Sequence, residues 1–398
     1  MTIEPIIIAN RLTNKLDHEP INDYYRLMKT YNWQQSDWPN FRYDVSAIHD
    51  TLFYIAEKTG LINGKFSHLA DDLQSEAMIS LMVEEAVKTS EIEGEYISRP
   101  DIRSSIKNKL GLNQEVVRVY DKRAEGVAAL MLDVRNTYKQ PMTDKKLFEW
   151  HLMLLSASLN PNLKIACWRT DAEPMQVVSG YHGRWVVHYE APPATDVPGE
   201  MKKFIHWFNA TAPGNPQEIK FAAVRAAIAH LYFESIHPFE DGNGRIGRAI
   251  AEKALSQGMG CPVILSLSQA IEADKKAYYA ALNQASKSNN ITDWLSYFVN
   301  MVLAAHVHVE EQINFTLKTS AYFNLFEERL NERQLKVVRR MIQAGVSGLE
   351  GGMSAKKYMI LTGTSKATAT RDLQDLLLMK AVNQVGEGRS VRYALPWS

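Results

Sequence analysis

Hydrophobic positions recur along most of this chain at the three- and four-residue spacing of amphipathic helices, and that spacing changes in one central stretch. The clearest helix is "EAMISLMVEEAVKTSEIEGE", where Ile79, Val83, Ala86 and Ser90 share a face and Gly94 supplies a left-handed stop. Helical pattern also covers 44–62, 114–138, 144–158, 200–209, 221–236, 247–256, 269–286 and 291–311. The exception is "MQVVSGYHGRWVVHYEAPP". Its β-branched and aromatic runs, Met175–Val178 and Trp185–Tyr189, flank a glycine-containing turn and predict a β-hairpin ended by Pro192 and Pro193. Near the start, "YNWQQSDWPNF" sets Trp33 and Trp38 around Pro39 and reads as the aromatic staples of a small helical cap. In the tail, a helix at 333–344 leads through "GVSGLEGG" to two helices across Thr362-Gly363 and a short hairpin, a helix-turn-helix with a wing. The expected fold is mainly α, in three parts: a helical region at 1–110, a core at 111–310 and the tail at 311–398.

Composition adds limits. The chain has 398 residues, 45% hydrophobic and 23% charged, with a formal net charge of zero, which is ordinary for a globular protein. Neutrality gives no global case for nucleic acid or an anionic membrane, so such a partner has to be read from a local patch. Cys167 and Cys261 are the only cysteines, which excludes a disulfide framework and a multi-cysteine zinc site. No basic-then-apolar leader is recognisable and no apolar run approaches the roughly 18 residues of a spanning helix, so a cytoplasmic, membrane-free protein is expected.

The chemistry concentrates in "HPFEDGNGRIGR", His237 to Arg248. Gly242, Gly244 and Gly247 give the spacing of a dinucleotide fingerprint, but a helix precedes them where a strand is needed. Pro262 also stands where the ribose-binding acid belongs. Pro238 disfavours helix at His237, so the stretch reads as a loop between two helices. Gly242 and Gly244 let backbone N–H groups approach a ligand at a helix start, where the dipole favours an anion. Asn243 adds a donor, and Arg245 and Arg248 add two forks for phosphate oxygens. Cations at a helix start oppose the dipole, so two of them imply a strongly anionic guest. Asp241 suits a divalent ion bridging phosphates, and His237 can take a proton at neutral pH. Together these parts suit nucleophilic attack on a phosphoryl group better than hydride transfer.

"HPFEDGNGRIGR" resembles the signature of the Fic family, H-x-F-x-D/E-G-N-G-R-x-x-R, at every fixed position. The resemblance implies a helical core with a β-hairpin flap, in agreement with the hairpin at 175–189. It also implies an activity: transfer of AMP from ATP to a Ser, Thr or Tyr hydroxyl of a protein, with release of pyrophosphate. His237 would deprotonate the hydroxyl, and Asp241 would hold Mg²⁺ between the α- and β-phosphates. Phe239 would anchor the loop. Gly242, Asn243 and Gly244 would form the anion hole, with Gly247 in the same nucleotide-binding turn, and Arg245 and Arg248 would hold the outer phosphates. Tyr278 and Tyr279 resemble the pair that lines the adenine pocket, although Ser286 stands where relatives often place an asparagine. The target protein would add to the flap as a strand.

"TSEIEG" resembles the family's inhibitory motif, S/T-x-x-x-E-G/N, at Thr89, Glu93 and Gly94. The resemblance implies that Glu93 pairs with Arg248 and withholds it from the γ-phosphate, leaving the wild-type chain autoinhibited. In some relatives that glutamate also supports removal of AMP. The tail from Asn331 to Ser398 holds 11 Lys and Arg against 5 Asp and Glu, a net of +6. That charge raises DNA binding, but Asp372 and Asp375 on the second helix favour protein docking or a homodimer. Two other classes stay open: a Fic-fold transferase of another phosphate-containing group, and a nucleotide-sensing DNA-binding regulator.

Overall fold

A computed structural model describes residues 7–9, 31–181, 184–346 and 348–397. The expected flap therefore has its tip, 182–183, outside the described residues. The described residues of Met1–Gly60 and Met78–Val307 form one compact unit, and those of Leu61–Ala77 and His308–Ser398 form a second. Among the described residues fourteen α-helices and five short strands account for most of both, so the fold is mainly α, as the periodicity predicts.

Helix α1 (His49–Ser67) is followed by α2 (Asp71–Ile92), and in the first unit's part of α2 the predicted inward face, Ile79, Val83, Ala86 and Ser90, is buried. Gly94 stops it with φ of 78°. The periodicity passes over α3 (Arg99–Lys109), a helix with few apolar residues. Its start is set instead by Ser98, whose side chain accepts the Asp101 N–H, and by Pro100 in the first turn. The helix expected from 114 begins only at α4 (Lys122–Thr137), where Asp121 is the cap. After α5 (Asp144–Leu155) come strands β2 (Gln176–Tyr181) and β3 (Arg184–Glu190), paired antiparallel as the flap hairpin. A third strand, β1 (Ile7–Ala9), pairs antiparallel along β2, with Ile8 opposite Val177, and no sequence pattern signals it.

Helices α6 (Val197–Ala210), α7 (Ala222–Ile236) and α8 (Asn243–Met259) build the centre. Every residue of α7 from Ala223 to Ile236 is buried, which is why it reads as a continuous apolar run. The helix expected at 269–286 is two, α9 (Leu267–Ala273) and α10 (Lys275–Ala285). Asp274 leaves helical geometry between them and caps the second through the Ala277 N–H. The last, α11 (Thr292–Phe326), runs well past its expected end at 311. The "YNWQQSDWPNF" segment forms a 3-10 turn, Asn32–Gln34, rather than a helical cap. It is strapped down by Asn32 to Ser235 (2.8 Å), Trp33 to the Glu190 carbonyl (2.8 Å) and Trp38 to Glu200 (2.8 Å).

The second unit packs α12 (Glu332–Ile342), α13 (Ala355–Thr362) and α14 (Lys366–Leu378) around Val338, Tyr358, Leu373 and Leu376. The hairpin β4 (Asn383–Val385) and β5 (Arg392–Ala394) closes it, the order expected from the sequence. Asp372 changes the electrostatic reading of α14. It is 3% exposed and accepts from Arg333 (2.8 Å) and Tyr358 (2.8 Å), so it cannot repel a phosphate from outside. The exposed charges of this helix are Lys366, Arg371 and Asp375.

Candidate active site

The site is made by the turn between α7 and α8. Pro238 ends α7, and His237 caps it in the left-handed region (φ 51°, ψ 59°), an unusual conformation for a residue with a β-carbon. Phe239 then plugs the turn into the core. It is fully buried and stacks on His151 (centroids 4.0 Å apart) beside Trp168 and Phe233. His151 Nδ1 accepts the Ala166 N–H (2.9 Å), so its Nε2 donates to the Asp241 carbonyl (3.1 Å). Burial lowers its pKa to about 4, which keeps that tautomer uncharged. Nothing in the sequence marks His151, since a lone histidine on a helix has no signature.

Asn243 closes the turn. Its side chain accepts the Phe239 N–H (3.0 Å) and donates to the Phe239 carbonyl (2.8 Å), so it staples the loop from a fully buried position. Gly242 sits at φ of 83° as the cap of α8, which begins at Asn243, four residues before the expected start. Backbone N–H groups of the first α8 turn are thereby left for an anion.

A cavity of about 450 Å³ opens on this turn, with Glu93, Glu234, His237, Gly244, Arg248, Tyr278 and Tyr279 in its wall. His237 is 4% exposed and its Nε2 has no hydrogen-bond partner. Burial, followed by the nearby Arg169 cation, pushes its pKa down to about 4, so the imidazole is neutral at physiological pH. Tyr278 is buried with its hydroxyl on His230 Nε2 (2.7 Å). Ser286, at the position where an asparagine is expected by the resemblance, lines the cavity, and Asn283 lines it as well. The Asn283 amide donates to the His188 carbonyl on β3 (3.0 Å), tying α10 to the flap.

Arg248 is 2% exposed and held through two of its three nitrogens. Its Nε donates to Thr89 Oγ1 (2.8 Å), and its Nη2 to the Thr89 carbonyl (2.9 Å) and to Glu93 Oε1 (2.8 Å). Burial raises the Glu93 pKa, but Arg248, Arg245 and Lys275 outweigh it and hold the carboxyl below its ordinary range. A β-carbon added at Gly244 would fall on Glu93 Oε1. The Glu93 carboxylate therefore lies over the start of α8, where an anionic ligand would bind.

A second carboxylate does the same to the other arginine, and sequence reading missed it. Glu95 Oε1 is 2.9 Å from Arg245 Nη1, and Arg245 is also 3.4 Å from Asp241. The signal was present in the acidic residue just after Gly94, but only the folded chain brings it to Arg245.

Gly247, expected in the nucleotide turn, is absent from the cavity wall. A β-carbon there would strike Glu234 Oε1 and crowd His230, so this glycine lets α7 and α8 approach. Gly247→Ala is expected to cost about 1–3 kcal/mol by overpacking, read as a lower melting temperature; an unchanged melt would contradict this. Glu234 Oε1 is buried without a partner, and burial, then Glu93, raises its pKa to about 8, so the carboxyl is largely protonated near neutrality.

Residues 141–255 match the Fic/DOC family, and residues 31–112 match a domain of unknown function, DUF4172. The chain is 30% identical over 142 residues to protein adenylyltransferase Fic of Nematostella vectensis, covering 35% of this chain and 29% of that protein. It is 35% identical over 89 residues to protein adenylyltransferase fic-1 of Caenorhabditis elegans, covering 22% and 15%. The chain spans less than a third of the length of these curated relatives. Among solved structures, a Fic family protein from Desulfovibrio desulfuricans G20 aligns with a TM-score of 0.49 at 18% identity, covering 87% of this chain and 95% of that one. The matched segment runs from just before α5, through the flap, to beyond Arg248 on α8. Residues 141–255 of this chain are a Fic/DOC domain.

Proposed function

We propose that this chain transfers AMP from ATP to the hydroxyl of a Ser, Thr or Tyr side chain of a protein, releasing pyrophosphate, and that residues 89–95 hold it inhibited. One observation carries the reading: a neutral imidazole with an unpartnered Nε2, the first turn of α8 and the Arg248 fork share one cavity. The names of the curated relatives, protein adenylyltransferases, support it. His237 Nε2 takes the hydroxyl proton as the oxygen bonds to the α-phosphorus and the bond to the bridging oxygen breaks. N–H groups at the start of α8 face the charge that develops on the α-phosphoryl oxygens. Arg245 and Arg248 hold the outer phosphates, and Tyr278 and Tyr279 border the base.

Asp241 is the residue that fits Mg²⁺. Its Oδ1 takes the Gly242 N–H (2.5 Å), and its side chain is 41% exposed at the mouth of the turn. Among the described residues no cluster of three His, Cys, Asp or Glu forms a closed metal site, so phosphate oxygens and water would complete the shell, as suits Mg²⁺ on a nucleotide. Bound there, the ion would neutralise charge on the leaving pyrophosphate.

Both outer-phosphate arginines are engaged by the inhibitory segment, Arg248 by Glu93 and Arg245 by Glu95. The brake is therefore two-pointed. Glu95→Ala alone is expected to raise AMP transfer several-fold, because an ion pair whose carboxylate is still reached by solvent is worth about 1 kcal/mol. Its effect should also exceed that of Lys88→Ala, which loses only a surface pair with Glu91. Equal rates in the two variants would remove Glu95 from the brake. The test of the function itself is α-labelled ATP incubated with a cell lysate and the wild type, Glu93→Gly or the Glu93→Gly/His237→Ala double variant. Label should appear on protein with Glu93→Gly and vanish in the double variant. Label in neither would overturn the reading.

A further inference from the structure

Arg169 lies between α5 and the flap, and no motif draws attention to it. It is 3% exposed, yet no carboxylate forms an ion pair with it among the described residues. Its guanidinium is used on backbone carbonyls: Nε donates to His237 O (2.8 Å), and Nη2 to Pro192 O (2.5 Å) and Ile236 O (3.4 Å). Its own N–H donates to Pro238 O (2.9 Å). Four contacts thus converge on the end of α7, the His-Pro turn and the chain leaving β3.

A buried cation with no carboxylate in direct contact is costly and needs a compensating environment, of which Asp171 supplies a part at longer range. The compensation in direct contact is the negative end of the α7 dipole and its unpaired carbonyls. The left-handed turn at His237 carries strain of about 1–3 kcal/mol, and such a turn persists only where surrounding bonds enforce it. Arg169 supplies those bonds and fastens them to the chain leaving the flap at Pro192.

We propose that Arg169 is the positioning residue of this site: its guanidinium locks His237 in the left-handed turn, with Nε2 free, and couples that turn to the flap through Pro192. The proposal rests on the reading of His237 as the base. The same cation opposes protonation of the imidazole. The other ionisable groups around that cavity are Glu234 on α7, Glu93 after α2, Arg248 on α8, His188 and Tyr189 on β3, and Tyr278 and Tyr279 on α10. Glu93 favours the imidazolium. Removing the Arg169 charge should therefore move the His237 titration upward.

The experiment uses the full chain carrying Glu93→Gly, with Arg169→Gln or Arg169→Lys added. Three quantities are read: the His237 imidazole titration by NMR, assigned with His237→Ala; the pH profile, kcat and KM for AMP transfer; and the melting temperature. Arg169→Gln should raise the His237 titration by about one pH unit or more and move the acid limb of the rate the same way. It should lower kcat roughly 10- to 100-fold, with KM for ATP within about twofold. Arg169→Lys keeps the charge and loses the fork, so it should retain the low titration and recover only part of kcat. An unmoved His237 titration in folded Arg169→Gln overturns the proposal. If Arg169→Gln does not fold, Arg169→Lys decides, and a kcat within about twofold of the parent overturns it. If Glu93→Gly transfers no AMP, the proposed function fails, while the His237 titration still decides the role of Arg169.

Discussion

Glu93→Gly is expected to raise AMP transfer about a hundredfold above the wild-type chain. In the resting protein Arg248 is held by Glu93 and by both oxygens of Thr89, all at 2.8–2.9 Å, and it is 2% exposed. A γ-phosphate has to break that pair before it can use the fork. Breaking a buried pair costs about 3 kcal/mol at the lower end, which corresponds to about two powers of ten. The glutamate also covers the start of α8 at Gly244, so its loss clears the α-phosphate position in the same step. The variant should melt below the wild type without ligand, because Arg248 is left unpaired, and should gain more from ATP with Mg²⁺. Initial rates at saturating ATP measure the first effect, and ligand-dependent melting measures the second. Mild acid is not the release signal. The folded Glu93 pKa lies below its ordinary value, so the pair's contribution is complete above the unfolded carboxylate value near 4.3 and is lost only as pH falls through the depressed folded value. The ratio of variant to wild-type rate should accordingly stay level from about pH 6 to 7, below the range in which Glu234 titrates.

His237→Ala in the Glu93→Gly background is expected to lower kcat by about 10³-fold while ATP binding persists, the size of effect typical of a lost general base. The imidazole is buried, neutral and without a partner at Nε2, and it contributes nothing to holding Arg248 or the α8 turn. Its removal should therefore separate chemistry from binding. Calorimetry would show ATP affinity within a few-fold of the parent, and the labelled-ATP assay would show the collapse in rate. A rate within tenfold of the parent would mean that another group, or water alone, takes the proton.

The turn from His237 to Arg248 was legible because its chemistry is contiguous: proton acceptor, carboxylate, glycines and arginines lie within twelve positions. The helix carrying Thr89 and ending just before Glu93 was legible through its apolar face and its glycine stop. The residues that support the site were not legible. Arg169, His151 and Glu95 come from separate parts of the chain and matter through backbone carbonyls or a single ion pair, neither of which leaves a spacing in sequence. Asn243 and Gly247 were visible, but their tasks were not. One is spent on Phe239 and the other on the closeness of α7 to α8. The errors among the helices have a common cause: caps override periodicity. Asp121 delays α4, Asp274 splits the helix expected at 269–286, and Ser98 starts α3 where few apolar residues recur.

Intact-mass analysis of the Glu93→Gly chain and a co-incubated hydroxyl-bearing target, after incubation with ATP and Mg²⁺, tests most directly whether Arg248 is shared between a glutamate and a nucleotide. The expected result is a covalent AMP increment on target or enzyme that is weak in the wild type, strong in Glu93→Gly and missing from the Glu93→Gly/His237→Ala variant. A single phosphate increment, or an AMP increment equally strong with Glu93 in place, would contradict it.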